Sequence, residues 1–445
     1  MIIPDADDAN RMALGILDLD GESFQEAEKR LESLSVSITG GDELCHSAAL
    51  QAALLTAINS AKRCFLGGVT LDIPPETPLL LPWPAQSLNQ AAESLLLETR
   101  KPEIPSERIS IGQHSDNSWN VSATGWKAAV AFGSENTKVP PIEGHDFSLG
   151  GILAGALGVH HAFVRAAGID HTIHWKVDGI SLWTPNLPWA SAPDGPRLEN
   201  LPNKIWLLGL GHLGQAYAWT MGLLPYSKPN ECEVMLQDYD AVTRANFGTG
   251  LLTSRSDVSI LKTRMVEKWL QARRFKTRIC DRRFDERTHR SSDEPTVAFC
   301  GFHDAPSRRL LGNAGFELIV EAGLGSEIAD FDQAQLHTFP NATLRPEEIW
   351  SASTSSTINK ERHLKLGGDA VCGSLDLAGK AVSTSFVGTM ASAFSWAEVL
   401  RQYHKGSSFA GQSLNMREFA EATFLMDQEQ CSSTRIAIRG YTSTK

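Results

Sequence analysis

Apolar residues along the chain alternate between short strand-like runs and stretches with helical spacing. In the first half, residues 43–62 carry apolar side chains at helical spacing, and residues 69–73 form a short apolar run closed by two prolines. In the second half, Lys204–Leu208 and Glu233–Gln237 have the composition of buried strands. Strands that alternate with helices predict a mostly parallel sheet, and therefore an α/β fold.

Proline content divides the chain. Residues 184–202 contain five prolines and are typical of a linker between domains. We therefore predict an N-terminal α/β domain over residues 1–195, a Rossmann-like domain over 196–405 and a C-terminal extension over 406–445. Residues 341–369 are a long polar stretch without a clear element, and a loop of that length in a compact domain is usually functional.

The two halves share one local pattern. A long helix predicted over residues 147–167 contains Gly151-x-x-Ala-x-Ala, and the last predicted helix, 386–403, repeats this spacing from Gly388. One interpretation is that the first half is a degenerate copy of the second. The other is that small residues recur in any closely packed helix, and the sequence does not decide between them.

Charge and cysteine content narrow the function classes. The chain has 445 residues, with 52 acidic and 41 basic side chains and a net charge of −11, which disfavours nucleic acid and anionic membranes as partners. The seven cysteines form no Cys-x-x-Cys pair, so neither a structural zinc site nor a disulfide framework is expected. We saw no secretory signal and no apolar stretch of membrane-spanning length, and we expect a cytoplasmic protein.

A glycine motif follows the strand Lys204–Leu208. Gly209-x-Gly211-x-x-Gly214 lies between an apolar strand and a predicted helix. Glycines at this spacing let the backbone approach a phosphate, and the helix N-terminus offers free N–H groups and a positive dipole. The strand–turn–helix context makes a nucleotide site more specific than the motif alone.

The residues after the next strand extend this site. Asp238 stands where an acidic residue binds ribose hydroxyls, which first suggests an NAD-dependent oxidoreductase. The segment continues as Asp238-x-Asp240-x-Val-x-x-x-Asn246, with Lys262 sixteen residues after Asn246 and Asp304 just beyond a later strand. A dehydrogenase gives Lys262 and Asp304 no role.

In these ordered motifs the chain resembles the ThiF/MoeB/ubiquitin-activating superfamily of adenylating enzymes, over about residues 203–403. The resemblance implies ATP and Mg²⁺ as cofactors. It implies that Asp238, with Asp240 beside it, binds the ribose, that Lys262 contacts the phosphates and acts in catalysis, that Asn246 orients the triphosphate, and that Asp304 holds Mg²⁺. It also makes residues 341–385 the crossover loop.

The chain departs from this family at one place. The family usually has Arg-Gln three and four residues after the asparagine, where this chain has Thr249 and Gly250. A missing guanidinium weakens phosphate binding, and Arg244 and Arg255 are the candidates to replace it. The zinc-binding cysteine pairs of the family are also absent, which leaves Mg²⁺ as the expected metal.

Cys372 is the candidate nucleophile that the resemblance implies. It lies after the long polar stretch and before the last helix, where ubiquitin-activating enzymes form a thioester. The alternative is a small buried apolar residue, which is how we interpret Cys300 inside its strand.

The function implied is activation of the C-terminus of a ubiquitin-like protein or sulfur carrier, with a conjugating enzyme as a further partner. The layout is similar to that of the activating component of bacterial ubiquitin-like conjugation systems such as the Bil antiphage system, and an inactive N-terminal half would complete a pseudo-dimer within one chain, or the chain would be a homodimer. An NAD-dependent oxidoreductase and a non-catalytic nucleotide-binding scaffold are the alternatives.

Overall fold

Two large β-sheets, each covered by helices, make up the protein. The computed structural model describes residues 24–133, 139, 142–173, 177–325, 331–342, 344–351, 384–426 and 441–443. The first sheet has six strands and lies in the N-terminal half, and the second has eight strands and lies in the C-terminal half. This mixed α/β architecture is the fold class that the strand–helix alternation predicts.

The N-terminal sheet has the strand order β2-β1-β3-β4-β5-β6. Its first four strands in that order are parallel, and β5 and β6 are added antiparallel. The strands are β1 Ser35–Gly40, β2 Gly68–Asp72, β3 Glu107–Ile111, β4 Trp119–Thr124, β5 Lys127–Phe132 and β6 Val177–Ser181.

The C-terminal sheet has the order β10-β9-β8-β11-β12-β13-β14-β15. Strands β10 to β12 in that order are parallel, and the last three are added antiparallel. The strands are β8 Lys204–Leu208, β9 Glu233–Gln237, β10 Lys276–Cys280, β11 Val297–Cys300, β12 Leu318–Leu324, β13 Gln333–Phe339, β14 Phe409–Asn415 and β15 Thr423–Met426, and a short pair joins β7 Asn200–Pro202 to β16 Tyr441–Ser443.

The two sheets repeat one plan. In the N-terminal sheet β1 lies between β2 and β3, β4 follows in parallel, and β5 and β6 are antiparallel. In the C-terminal sheet the corresponding places are taken by β8 between β9 and β11, then by β12 in parallel and by β13 and β14 antiparallel. The C-terminal sheet adds β10 at one edge and β15 at the other. This common layout favours the interpretation of the halves as copies of one unit.

Four long helices lie between the sheets. Helices α2 and α4 pack on the N-terminal sheet, α5 and α9 pack on the C-terminal sheet, and α9 contacts both α4 and α5. The helices are α1 Phe24–Ser33, α2 Ala48–Cys64, α3 Leu88–Leu96, α4 Ser148–Ala166, α5 His212–Leu223, α6 Lys262–Gln271, α7 Ala305–Arg309, α8 Pro346–Ile349 and α9 Ser385–Tyr403. Because α4 is covered on all sides, its small and apolar residues form core.

Helix α4 also meets the length and hydropathy expected of a membrane span, which differs from the sequence analysis. Among the described residues it is the one helix that does so, and 89% of its apolar stretch is buried inside the protein. His160 and His161, which interrupt the apolar run in the sequence, are both fully buried in it.

Several elements differ from the sequence prediction. Helices α1 and α8 and strands β1, β4, β7, β10, β13, β14, β15 and β16 were not expected. We expected residues 406–445 to form an extension, whereas Phe409–Asn415 and Thr423–Met426 are strands of the C-terminal sheet. Of the predicted crossover loop, residues 352–383 lie outside the described residues.

Candidate nucleotide site

The glycine motif forms a tight turn between β8 and α5. Gly209 has a φ of +78°, a left-handed conformation that favours glycine. A side chain on Gly214 would place its Cβ 2.0 Å from the Gly209 carbonyl oxygen, so this glycine lets α5 pack close to β8. Gly211 precedes the first residue of α5, and a Cβ there would meet nothing within 4 Å. The helix N-terminus is therefore open on the side where an anion would bind.

Asp238 braces this turn from the end of β9. Its Oδ2 atom accepts a hydrogen bond from the Leu210 amide at 2.6 Å, and its Oδ1 atom accepts one from the Asp240 amide at 2.8 Å. The residue is 9% exposed. Each carboxylate oxygen retains a second lone pair, so binding a ribose hydroxyl and bracing the turn are compatible.

Lys262 is the first residue of α6 and forms an ion pair with Asp240. The Nζ–Oδ2 distance is 2.9 Å, and the lysine side chain is 11% exposed against 42% for the aspartate. The ammonium is thus held near the glycine turn, and a phosphate would compete with the Asp240 carboxylate for it.

Asp304 lies across the same cavity. Its Oδ1 atom accepts a hydrogen bond from the Ser307 amide at 2.9 Å, so Asp304 is the N-cap of the short helix α7. Arg283 approaches that oxygen at 4.0 Å. The cavity brings together most of the predicted site residues: Gly209, Gly211, Asp238, Asp240, Lys262 and Asp304.

Several groups that line or support this cavity were not predicted from the sequence. Arg282, Arg283 and Phe302 contribute to its walls. Beneath it, Arg308 donates from Nε to the Phe302 carbonyl at 2.8 Å and lies 3.1 Å from Oε1 of the fully buried Glu321. The doublet Arg282-Arg283 follows strand β10 closely, and its position at the cavity depends on that strand, which was not predicted from the sequence.

Asn246 does not lie at this cavity. The Oδ1 atom of Asn246 accepts a hydrogen bond from the Thr243 amide at 2.9 Å, which caps the 3-10 turn Arg244–Gly248. Among the described residues, those that line the cavity do not include Asn246. Cys372 lies outside the described residues.

The candidate replacements for the missing arginine also lie elsewhere. Arg244 and Arg255 line a different cavity, between the two halves. The backbone around Thr249 and Gly250 is held by Arg63 of α2, which donates to the carbonyl oxygens of Phe247 at 2.9 Å and Thr253 at 3.0 Å. Arg63 of the N-terminal half therefore contacts the segment around Thr249, the position at which this chain lacks the arginine that the family usually has.

Cys300 lies in the core, as its strand position predicts. It is fully buried in β11, and burial raises the pKa of its thiol well above the ordinary range. A thiol that stays protonated is a poor nucleophile.

The equivalent helix N-terminus in the first half is closed. Helix α2 follows β1 as α5 follows β8, but the Asp146 carboxylate covers its first turn. Asp146 accepts hydrogen bonds from the Ala48 amide at 2.7 Å, the Ala49 amide at 3.0 Å and the Ser47 hydroxyl at 2.8 Å. A carboxylate of the chain thus occupies the place where a bound anion would lie.

No multidentate protein cage for a metal is present in the described part of the chain, because no three His, Cys, Asp or Glu side chains converge there. Asp304 lies at the cavity wall, which Asp238 and Asp240 also line, and the Asp240 carboxylate is paired with Lys262. That donor set fits Mg²⁺, which takes one or two carboxylates together with phosphate oxygens and water.

Comparison with known families follows the division into halves. A family model of the BilD N-terminal domain matches residues 35–182, and one of the BilD C-terminal domain matches residues 201–406. These matches place the chain among bacterial E1-like proteins. A relative from Collimonas sp. (strain OK412), described as the bacterial E1-like protein BilD, is 36% identical over 418 residues, which is 90% of each chain. The chain belongs to the BilD family.

Solved structures with a partial likeness include Escherichia coli MccB. One MccB structure is 14% identical, covers 72% of this chain and 96% of its own, and has a TM-score of 0.36. Another, of MccB with ATP, is 13% identical, covers 69% of this chain and 95% of its own, and has a TM-score of 0.35.

Proposed function

We propose that this chain is an ATP-dependent activating enzyme that adenylates the C-terminal carboxylate of a ubiquitin-like protein or sulfur carrier. The observation that carries the proposal is one cavity in which an open helix N-terminus faces Lys262 and Asp304. Membership of a family with an E1-like relative supports the same class of reaction.

The cavity has the groups that this reaction needs. A carrier carboxylate oxygen forms a bond to the α-phosphorus of ATP while the bond from that phosphorus to the pyrophosphate oxygen breaks. Negative charge grows on the phosphate oxygens, and a fixed ammonium such as Lys262 stabilises it. The N–H groups at the start of α5 bind the same oxygens.

The volume of this cavity is about 70 Å³, which is too small to enclose a whole ATP molecule. The phosphates would occupy the enclosed part, and the ribose and base would lie at its mouth. Tyr239, Arg282 and Arg283 are exposed there and are free to adjust around a base. Lys262 would exchange its Asp240 partner for a phosphate oxygen.

Mg²⁺ would be held by Asp304 and by oxygens of the triphosphate. The metal would neutralise charge on the departing pyrophosphate. The rest of the reaction depends on side chains and backbone amides of the chain itself.

The N-terminal half would be an inactive copy that completes a pseudo-dimer. The shared strand plan and the packing of α4 and α5 on α9 support this arrangement. The carboxylate of Asp146 on the first turn of α2 explains why this half would bind no phosphate at that helix.

The Cys372 thiolate would then attack the carbonyl carbon of the acyl adenylate, so that a thioester forms as the acyl–phosphate bond breaks and AMP leaves. A thiol of a conjugating enzyme would take the acyl group by thioester exchange and return Cys372 to its thiol. The support for this step is the position of Cys372 between the polar stretch and α9 in the sequence. A cytoplasmic location fits the reducing conditions that a free thiol requires.

Pyrophosphate exchange tests the adenylation step. With a ubiquitin-like protein as carrier, ATP and Mg²⁺, the wild type should exchange pyrophosphate into ATP. Lys262→Ala and Asp304→Ala should each lower the rate by about 10²-fold or more while the protein stays folded. The control is Arg287→Gln, a change at an exposed arginine outside both cavities, which should leave the rate unchanged.

Nucleotide preference separates the alternatives. ATP with Mg²⁺ should raise the melting temperature and NAD(H) should not, because only a ligand of the folded state stabilises it. A shift with NAD(H) alone would support an oxidoreductase. Nucleotide binding without any exchange would support a non-catalytic scaffold.

A further inference from the structure

A second and larger cavity lies at the junction of the two halves. Its volume is about 660 Å³, which is in the range of small-molecule sites. Helix α2 and the residues after α3 form one wall, and the segment from the turn Arg244–Gly248 to Val258 forms the other. Its lining shares no residue with the glycine-motif cavity.

The lining is strongly basic. It includes the side chains of Lys62, Arg63, Arg244 and Arg255, with Glu98 as the acidic residue among them. Two of these arginines come from the C-terminal half and one from the N-terminal half, so the cavity exists only when the halves are joined. Guanidinium groups recognise oxyanions through paired N–H donors.

Arg63 is a buried cation in this lining. It is 5% exposed, and its two terminal nitrogens donate to backbone carbonyls of Phe247, Leu251 and Thr253. Its Nε atom has no hydrogen-bond partner, and the negative charge of Glu98 acts on the guanidinium. Burial lowers its pKa to about 10, so it remains charged at neutral pH.

The lowered pKa of Lys62 indicates the same excess of positive charge. Its Nζ donates to the Leu95 carbonyl at 2.9 Å. Burial, and next the charge of Arg63, lower the pKa of its ammonium to about 7, although Glu98 opposes the shift. Glu98 is one carboxylate against four cations in this lining, and a partly buried excess of positive charge is costly, so an anion in the cavity would relieve that cost.

We propose that this junction cavity is an anion site that takes a polyphosphate group, bound between the two halves and separate from the glycine-motif cavity. The guanidinium groups of Arg244 and Arg255, with the Nε–H of Arg63, match a ligand with several negative oxygens better than a single carboxylate. The polyphosphate would belong either to a free inorganic anion or to a nucleotide. The proposal stands on the cavity and does not depend on adenylation.

Inorganic tripolyphosphate is the probe, added to the full chain and followed by titration calorimetry. Arg244→Gln and Arg255→Gln change exposed side chains at the rim, so these variants should fold. Each should weaken binding by about tenfold or more, because each removes a charge-assisted contact. Arg287→Gln, an exposed arginine outside both cavities, should bind as the wild type does.

The variant Lys262→Ala separates the two cavities. Tripolyphosphate should still bind this variant with wild-type affinity. Competition by ATP in Lys262→Ala would identify a nucleotide as the source of the polyphosphate, and a lack of competition would identify a free anion. The proposal is overturned if the wild type does not bind tripolyphosphate, if citrate binds more tightly, or if Lys262→Ala abolishes binding while Arg255→Gln does not.

Discussion

Single side chains at the glycine motif have two roles each. Asp238 holds the Leu210 amide and also lines the cavity in which we propose that it binds a ribose, and Asp304 caps α7 while it lines the same cavity. A structural role and a proposed ligand role thus fall on the same carboxylates. In the structure they are compatible, because a carboxylate accepts several hydrogen bonds at once.

At the residue scale, the variant Cys372→Ala distinguishes adenylation from thioester formation. Cys372→Ala should keep pyrophosphate exchange, because the adenylate forms without a thiol. It should lose a carrier adduct that a reducing agent cleaves, since the thiolate is the nucleophile. A non-reducing gel with carrier, ATP and Mg²⁺ measures the adduct.

Cys300→Ala is the matched control for that experiment. Its thiol is buried, so the change should cost on the order of 1 kcal/mol of stability and leave the adduct intact. If Cys372→Ala still forms the cleavable adduct, the nucleophile is another cysteine. If the wild type never forms it, the adenylate passes directly to a partner.

At the scale of elements, the glycine turn between β8 and α5 contains two glycines with opposite surroundings. Gly214→Ala would place a Cβ 2.0 Å from the Gly209 oxygen, so the helix must move, and we expect a loss of about 1–3 kcal/mol in the free energy of unfolding. Gly211→Ala meets nothing within 4 Å and should fold with nearly wild-type stability.

For the response to ATP the order should be reversed, so that Gly211→Ala is the more strongly affected variant. The methyl group of Gly211→Ala would enter the space where a phosphate approaches the first turn of α5, so the ATP-induced rise in melting temperature should be lost. Urea titration with and without ATP and Mg²⁺ measures both effects. An unchanged ATP response in Gly211→Ala would mean that the phosphates lie elsewhere.

The elements that the sequence predicted are those whose pattern is local. Strands β8, β9 and β11 are buried on both faces in a parallel sheet, and such strands have near-continuous apolar sequences. Strand β10, Lys276–Cys280, is a largely polar edge strand, and its sequence alone resembles a solvated segment. Strand β14, Phe409–Asn415, was missed because small and polar residues interrupt its apolar ones, although most of the strand is buried.

The predicted site follows the same division. The glycine motif and Lys262 are recognisable because local spacing fixes them on a turn and at a helix start. The contact of Arg63 with the segment after Asn246 joins residues more than 180 positions apart. No periodicity in the sequence reports such a contact, because it depends on how the two halves pack.

At the scale of the whole molecule, the halves are joined by buried polar contacts as well as by helix packing. His160 of α4 lies with its Nε2 atom 3.0 Å from Oδ2 of Asp332, which precedes β13. Arg417 contacts the same carboxylate from Nε at 2.6 Å. Both His160 and Asp332 are fully buried, so this junction depends on their protonation states.

Acid should weaken this junction. Burial lowers the pKa of His160, and that effect outweighs the Asp332 carboxylate, which raises it; His161 and Arg417 act in the lowering direction. For Asp332 burial raises the pKa, but the hydrogen bonds and charges of His160 and Arg417 outweigh it, and the pKa is lowered. Below about pH 6.5 the unfolded chain binds a proton at His160 that the folded chain excludes.

The free energy of unfolding should therefore fall as the pH decreases from 7 to 5, with a contribution from His160 of at most about 1.4 kcal/mol per pH unit. His160→Gln should reduce this slope, because glutamine keeps a donor toward Asp332 and does not titrate. Urea unfolding at several pH values measures the slope. His289→Gln, at an exposed histidine, should leave it unchanged, and equal slopes in the wild type and His160→Gln would show that another group controls the acid response of the junction.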